Sequence, residues 1–138
     1  MRYALIGCGR ISPYHVMGAK SNGLEIVALC DIKKEAAEKI KKEHGITAKV
    51  YTDYKEMIEK ERPELVGIAT SSGAHGEIAI YAIKKGCNLI IEKPIALSIK
   101  EAKEIVRLSK EHNVKVSACH QNRFNIAVQE MRNALEQG

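Results

Sequence analysis

The segment YALIGCGRIS, residues 3–12, decides the fold. Tyr3 to Ile6 carry no charge and read as a short buried strand. The strand stops at Gly7-Cys8-Gly9, and a helical pattern follows immediately, with Pro13 tolerable in a first turn. Gly7 permits a tight turn out of the strand, and Gly9 lets the backbone approach a ligand closely. Helix N–H groups beyond the turn favour a phosphate, so a strand–GxGxxS–helix order at the start of a βαβ unit points to a dinucleotide pyrophosphate. Ser12 stands where the usual pattern has a third glycine.

The next strand, LEIVALCD, ends at Asp31, about 20 residues past the glycines, where an acid can accept hydrogen bonds from ribose hydroxyls. A carboxylate there repels a 2′-phosphate and favours NAD over NADP. Asp31 could also serve as a helix N-cap, and Lys33 and Lys34 beside it could tolerate extra phosphate charge. Beyond it, strand and helix alternate without a break. KKEAAEKIKKEHG is a helix stopped by Gly45, and AKVY is a third strand. Asp53 and Glu56 have capping-box spacing before YKEMIEKE, which Pro63 ends. LVGIAT is a fourth strand, HGEIAIYAIKK a helix ending at Gly86, and CNLIIE a fifth strand. Ser98 and Glu101 repeat the capping-box spacing before a helix that Asn113 can close. VKVSAC is a sixth strand, and an amphipathic segment runs from about Asn125 to the end. The strands are almost continuously apolar, as when both faces are covered. The expected fold is α/β, a Rossmann-type doubly wound parallel sheet of about six strands with helices on both faces.

Composition agrees. Of 138 residues, 45% are hydrophobic but only 4% aromatic, so the core must be built from Ile, Val, Leu and Ala. The net charge of +5 lies largely in lysine-rich helices interleaved with Glu, which read as solvated faces. Clustered Arg with exposed aromatics is absent, so no nucleic-acid partner is expected. No long apolar segment suggests a membrane partner. The four cysteines, Cys8, Cys30, Cys87 and Cys119, show no Cys-x-x-Cys spacing. They read as small hydrophobes kept reduced, which suits the cytoplasm, and no metal is expected.

The stretch CNLIIEKPIALS, residues 87–98, places Glu92-Lys93-Pro94 where a buried strand ends. In open α/β sheets ligands bind beyond such ends. With GCGRISPYH, the strand-terminal Asp31, GIATSSGAH and this EKP, the sequence resembles the glucose-fructose oxidoreductase / inositol dehydrogenase / MocA family along essentially its whole length. The tail HQNRFNIAVQEMRNALEQG resembles members that oxidise C3 of UDP-N-acetylglucosaminuronic acid with NAD.

The resemblance implies an NAD-dependent dehydrogenase acting on a hydroxyl carbon of a sugar or nucleotide sugar. It assigns residues 1–122 to the dinucleotide-binding domain and 123–138 to a helix leading toward an α/β substrate domain that lies outside this sequence. That absent domain would carry a catalytic His and most of a homo-oligomer interface, so this stretch alone should be inactive. Lys93 is implied as the catalytic residue, stabilising the alkoxide and relaying its proton if burial and the cationic nicotinamide lower its pKa. Pro94 would aim it, through a cis peptide bond that the resemblance favours. Glu92 would orient the loop by pairing with a basic group or backbone N–H. Cofactor contacts are carried over to Gly7, Gly9, Arg10, Ile11, Asp31, Thr70, Ser71, Ser72, His75, Glu92, Lys93, Pro94, Gln121 and Arg123. Arg123 could instead bind a substrate anion or pair with Glu92. The remaining histidines read as structural: His120 without a more specific role, His15 as packing or surface, and His44 and His112 at helix ends. Two departures stand out. Thr70-Ser71-Ser72 replaces a common Pro-Asn pair, and Ile126 replaces a proline after Asn125. A non-catalytic NAD(P)-binding sensor of the same architecture is the alternative, although a sensor has no need of Lys93.

Overall fold

The computed structural model describes all 138 residues. Six strands alternate with six α-helices: β1 Arg2–Ile6, α1 Ser12–Ser21, β2 Glu25–Cys30, α2 Lys34–Glu43, β3 Lys49–Tyr51, α3 Tyr54–Glu61, β4 Leu65–Ile68, α4 His75–Lys84, β5 Asn88–Ile91, α5 Ile99–Glu111, β6 Val116–Ala118 and α6 Ile126–Gln137. Short 3-10 turns at Ser72–Ala74 and Gln121–Phe124 precede α4 and α6. The strands form one parallel sheet in the order β3-β2-β1-β4-β5-β6. The chain starts in the middle, winds to one edge, returns and winds to the other. The expected doubly wound fold is therefore present, with its switch point between β1 and β4.

Alternation along the strands sorts the core into two layers. Tyr3, Leu5 and Leu29 meet Val16 and Ala19 of α1 and Ala37 and Ile40 of α2. Ala4, Ile6, Val66, Ile68, Leu89 and Ile91 meet α3, α4 and α5 through Met57, Ile83, Ile105 and their neighbours. Each large aliphatic side chain buried this way contributes about 1.5–3 kcal/mol before entropy is counted. The helices on the second side span the sheet, whereas α1 and α2 cover only its β3-β2-β1 half.

Local signals explain the element ends. Asp53 caps α3 through the N–H groups of Lys55 (2.7 Å) and Glu56 (3.3 Å). Glu56 does not return the bond; it pairs with Lys60 at 2.6 Å instead. Ser98 Oγ accepts from the Glu101 N–H at 3.1 Å and donates to its carboxylate at 2.9 Å. Gly45, Gly86 and Asn113 all have positive φ just past helix ends, as expected of helix stops. The final helix, α6, is capped by Asn125 at the Ala127 N–H, 3.0 Å. Every residue from Gln121 to Gly138 is exposed, including Phe124, Ile126, Met131 and Leu135.

Candidate active site

Two hollows open one on each side of the β1–α1 turn. The first is a groove of about 610 Å³ lined by the turn itself, Asp31 and Ile32 after β2, and Ala69, Thr70 and Ser71 after β4. Gly7 has φ +93°, and a Cβ there would lie 2.5 Å from the Ala69 carbonyl group, so only glycine lets the turn pass under β4. A Cβ at Gly9 would meet nothing within 4 Å; it would project into the space a ligand needs. Ser12 turns its hydroxyl inward onto the Gly9 carbonyl at 2.6 Å and is fully buried, filling the place of a third glycine. The N–H groups of Gly9, Arg10 and Ile11 make no hydrogen bond within the protein. They suit a pyrophosphate.

Asp31 anchors the groove. Its Oδ2 accepts from the Cys8 N–H at 2.8 Å and its Oδ1 from the Lys33 N–H at 2.9 Å. The N-cap position of α2 belongs to Lys33, so Asp31 fixes the turn before the helix. Each carboxylate oxygen keeps a further lone pair for a sugar hydroxyl. Donors for phosphate at one end and an anion for ribose at the other fit NAD.

The loop after β5 stands beside this groove, braced by His75. The ring of His75 is buried, with Nδ1 2.7 Å from the Pro94 carbonyl and Nε2 3.1 Å from the Thr70 carbonyl. Both partners are carbonyl oxygens, so each contact is a hydrogen bond when the ring nitrogen facing it carries a proton. His75 thus ties the wall of the groove to the Glu92–Pro94 loop from beneath. The Lys93–Pro94 peptide bond is cis, as expected. Lys93 is exposed and makes no ion pair, so this chain does not supply the burial expected to act on it. Nothing in the 138 residues covers that strand end.

The second hollow, about 840 Å³, is a trough over the half-sheet that α1 and α2 leave bare. Tyr3, Leu65, Ile90 and Cys119 form its floor, α1 its wall, and Gln121 part of its rim. Ile11 lines both hollows. Here the structure corrects two expectations. Glu92 does not pair with Arg123; its partner is His15, with Nε2 3.1 Å from Oε1. Strand alternation turns Glu92, like Ile90, toward the α1 side, whereas Arg123 lies in the exposed 3-10 turn. His15 is no spare packing residue: it links α1 to the end of β5, and its Nδ1 faces the Tyr3 hydroxyl at 3.5 Å. The spacing Ile11–His15–Ala19 along α1 was the signal that would have placed it in this trough.

Of the remaining predicted contacts, Thr70 and Ser71 line the groove, Gln121 lines the trough, and Ser72 starts the 3-10 turn before α4. His120 is exposed. Cys8, Cys30 and Cys87 are buried and unpaired. Burial pushes the Cys8 and Cys30 thiols up to about 12 and that of Cys87 to about 11. They behave as inert apolar groups.

Known proteins agree with the geometry. Residues 1–120 match the model of the GFO_IDH_MocA oxidoreductase family, an NAD-binding Rossmann fold. The chain belongs to this family. It is 32% identical over 136 residues to D-apiose dehydrogenase of Paraburkholderia graminis, an alignment covering 98% of this chain and 36% of that protein. It is 25% identical over 141 residues to inositol 2-dehydrogenase of Salmonella typhimurium, covering 100% of this chain and 42% of that protein. The WlbA dehydrogenase from Bordetella pertussis, solved in complex with NADH and UDP-GlcNAcA, superposes with a TM-score of 0.91 at 31% identity. That match covers 100% of this chain and 40% of WlbA. The chain thus spans well under half the length of these GFO_IDH_MocA relatives, and NAD is the cofactor of the domain it forms. No helix is long and apolar enough to cross a membrane.

Proposed function

We propose that this domain serves a dehydrogenase that moves a hydride from a hydroxyl carbon of a sugar or nucleotide sugar to NAD, with Lys93 as its catalytic residue. The observation that carries the reading is the His75 bridge, which holds the carbonyl of Thr70 in the groove and the carbonyl of Pro94 in the lysine loop. The loop that carries Lys93 is thereby linked to Thr70, a residue of the groove wall.

When bound, NAD supplies the hydride acceptor. The residues of the chain do the rest. The unpaired N–H groups of Gly9 to Ile11 hold the pyrophosphate, Asp31 accepts from the ribose, and Thr70 and Ser71 flank the middle of the groove. Arg10, exposed on the lining of the groove, covers the phosphates from outside. As the hydride leaves, a Lys93 amine that has given up its proton takes up the hydroxyl proton, and the ammonium so formed stabilises the negative charge on the substrate oxygen. Gln121 and Arg123 follow β6 at the same edge and are assigned to the substrate side. The match to WlbA, together with the tail from His120 onward, supports C3 of UDP-N-acetylglucosaminuronate as the specific substrate.

The experiment is NADH formation by a form of the protein that extends beyond residue 138, offered UDP-N-acetylglucosaminuronate, myo-inositol and D-apiose in parallel. Turnover of the nucleotide sugar alone is expected. Turnover of a different sugar would replace the substrate and keep the reaction class. NAD binding without turnover of any hydroxyl compound would make the protein a sensor.

A further inference from the structure

Three donors from distant parts of the chain converge at the head of the trough. A ring nitrogen of His15, a carboxylate oxygen of Glu92 and the Sγ of Cys119 all lie within 4.8 Å of one another, and it is Nε2 that faces Glu92. We propose that these three side chains form a binding site for a transition-metal dication of borderline softness, Zn²⁺ foremost, with a fourth position open to the trough.

The donor set selects the ion. One imidazole nitrogen, one carboxylate oxygen and one thiolate match the ligands of tetrahedral zinc, at bond lengths of about 2.0–2.3 Å. Mg²⁺ and Ca²⁺ want all-oxygen shells and would leave the nitrogen and sulfur unused. Three protein ligands leave one position for water. Two anionic ligands balance the charge of the dication, so the partly buried site ends neutral.

The donors also sit on fixed supports. The side chains of His15 and Glu92 are 8% and 14% exposed. His15 rides on α1 next to fully buried Val16. The Glu92 N–H donates to the Ile68 carbonyl at 2.9 Å, and the Cys119 N–H donates to the Ile91 carbonyl at 2.8 Å. Both backbones are thus locked into the sheet. Metal-binding histidines are oriented through their other ring nitrogen. Here Nδ1 faces the hydroxyl of fully buried Tyr3 at 3.5 Å. Gly67 makes room for that hydroxyl: a Cβ on Gly67 would lie 2.0 Å from it.

Cys119 differs from the other three cysteines. Cys8 satisfies its thiol on the Cys30 carbonyl at 3.7 Å, well inside the core. Cys119 is half-buried, and burial first, then the neighbouring Glu92 carboxylate, pushes its thiol up to about 11. On binding, metal–nitrogen, metal–oxygen and metal–sulfur bonds form. The thiol proton and the Nε2 proton that faces Glu92 leave to solvent, and the imidazole holds its one proton on Nδ1, toward Tyr3. The bound ion would clamp α1 to the ends of β5 and β6, one residue from Lys93.

The test uses Co²⁺ as the probe, titrated into the metal-free, reduced chain without NAD. Expected are one equivalent bound, a thiolate-to-cobalt charge-transfer band in the near ultraviolet, intense tetrahedral bands in the visible, and loss of all of them on adding Zn²⁺. Cys119→Ser should abolish the charge-transfer band. His15→Gln, which can still hydrogen-bond to Glu92, should weaken Co²⁺ binding about tenfold or more. Circular dichroism checks that both variants stay folded. Absence of the band in the parent chain, or its survival in Cys119→Ser, overturns the proposal. So does His15→Gln binding Co²⁺ as tightly as the parent. Because the readout needs neither cofactor nor substrate, it is independent of the dehydrogenase reading.

Discussion

The two hollows share Ile11 and otherwise differ in construction. The groove is built around backbone and one strand-terminal carboxylate: a glycine turn, free N–H groups and Asp31, with the segment after β4 as its far wall. The trough is made of side chains from α1, β5 and the segment after β6, which meet only when the sheet is complete. A backbone site is specified by a few local residues and tolerates change elsewhere. A side-chain site depends on three distant segments being in register. Lys93 stands between the two, one residue from Glu92 in the trough and one from Pro94, whose carbonyl is tied to the groove.

That intermediate position sets the largest expected effect. Lys93→Met keeps most of the volume and removes the charge. In a form of the protein that turns over, it should lower kcat by about 10²–10⁴-fold. NAD affinity, measured by NADH fluorescence, should hardly move, because the groove contacts lie elsewhere. The loss belongs in kcat because the interaction strengthens as charge develops. Near-normal kcat would leave the loop as a strand-end turn and the sensor reading in front. Next in size is Gly7→Ala. The added methyl group meets the Ala69 backbone at 2.5 Å in a residue held at φ +93°. The domain should lose about 2–4 kcal/mol of stability in chemical denaturation. An unchanged midpoint would mean that the turn relaxes freely, against the rigid groove described above.

The same contrast explains what could be read in advance. The fold was legible because each strand and each helix stop is a local signal: GCG, the acid at 31, Gly45, Pro63, Gly86, Asn113. So was the groove, whose parts follow one another in sequence. The cis bond before Pro94 came from the family resemblance rather than from any pattern in the residues. The trough was not legible. The pairing of His15 with Glu92 joins residues 77 apart and depends on which face of β5 Glu92 takes. Cys119 looked like a small hydrophobe because its neighbours in sequence are apolar, while its neighbours in space are a carboxylate and an imidazole.

A smaller effect separates the two ends of the groove. Asp31→Ala should weaken NAD by about 1–2 kcal/mol, the scale of a charge-assisted hydrogen bond. It should also reduce the preference over NADP, since the repulsion of a 2′-phosphate goes with the carboxylate. Parallel titrations with both cofactors read both changes. Equal affinities in the parent chain would show that Asp31 serves the turn alone, through the Cys8 and Lys33 N–H groups.

The smallest effect belongs at the opposite end of the sheet, and it calibrates the others. Glu61 closes α3 with its carboxylate buried, 2.9 Å from Lys49 Nζ, hydrogen-bonded to the Tyr51 hydroxyl, and 3.7 Å from Arg2. The Tyr51 hydrogen bond first, then Lys49, holds its pKa below the ordinary 4.5. A depressed carboxylate stabilises the folded state above its unfolded pKa, and that contribution is lost as pH falls through the lower folded value. Stability should therefore be flat in this respect near neutrality and decline in the acid range below about 4.5. Lys49 and Arg2 are 70% and 41% exposed, so water screens the pairs and Glu61→Gln should cost only about 1 kcal/mol at neutral pH. The variant should also lose part of the acid-range slope. NAD affinity and Co²⁺ binding should both stay as in the parent, because Glu61 lies at the strand starts, whereas the groove and the His15–Glu92–Cys119 cluster lie at the strand ends. A change in either would mean that the two ends of the sheet are coupled, and then variants in one hollow could no longer be read as local.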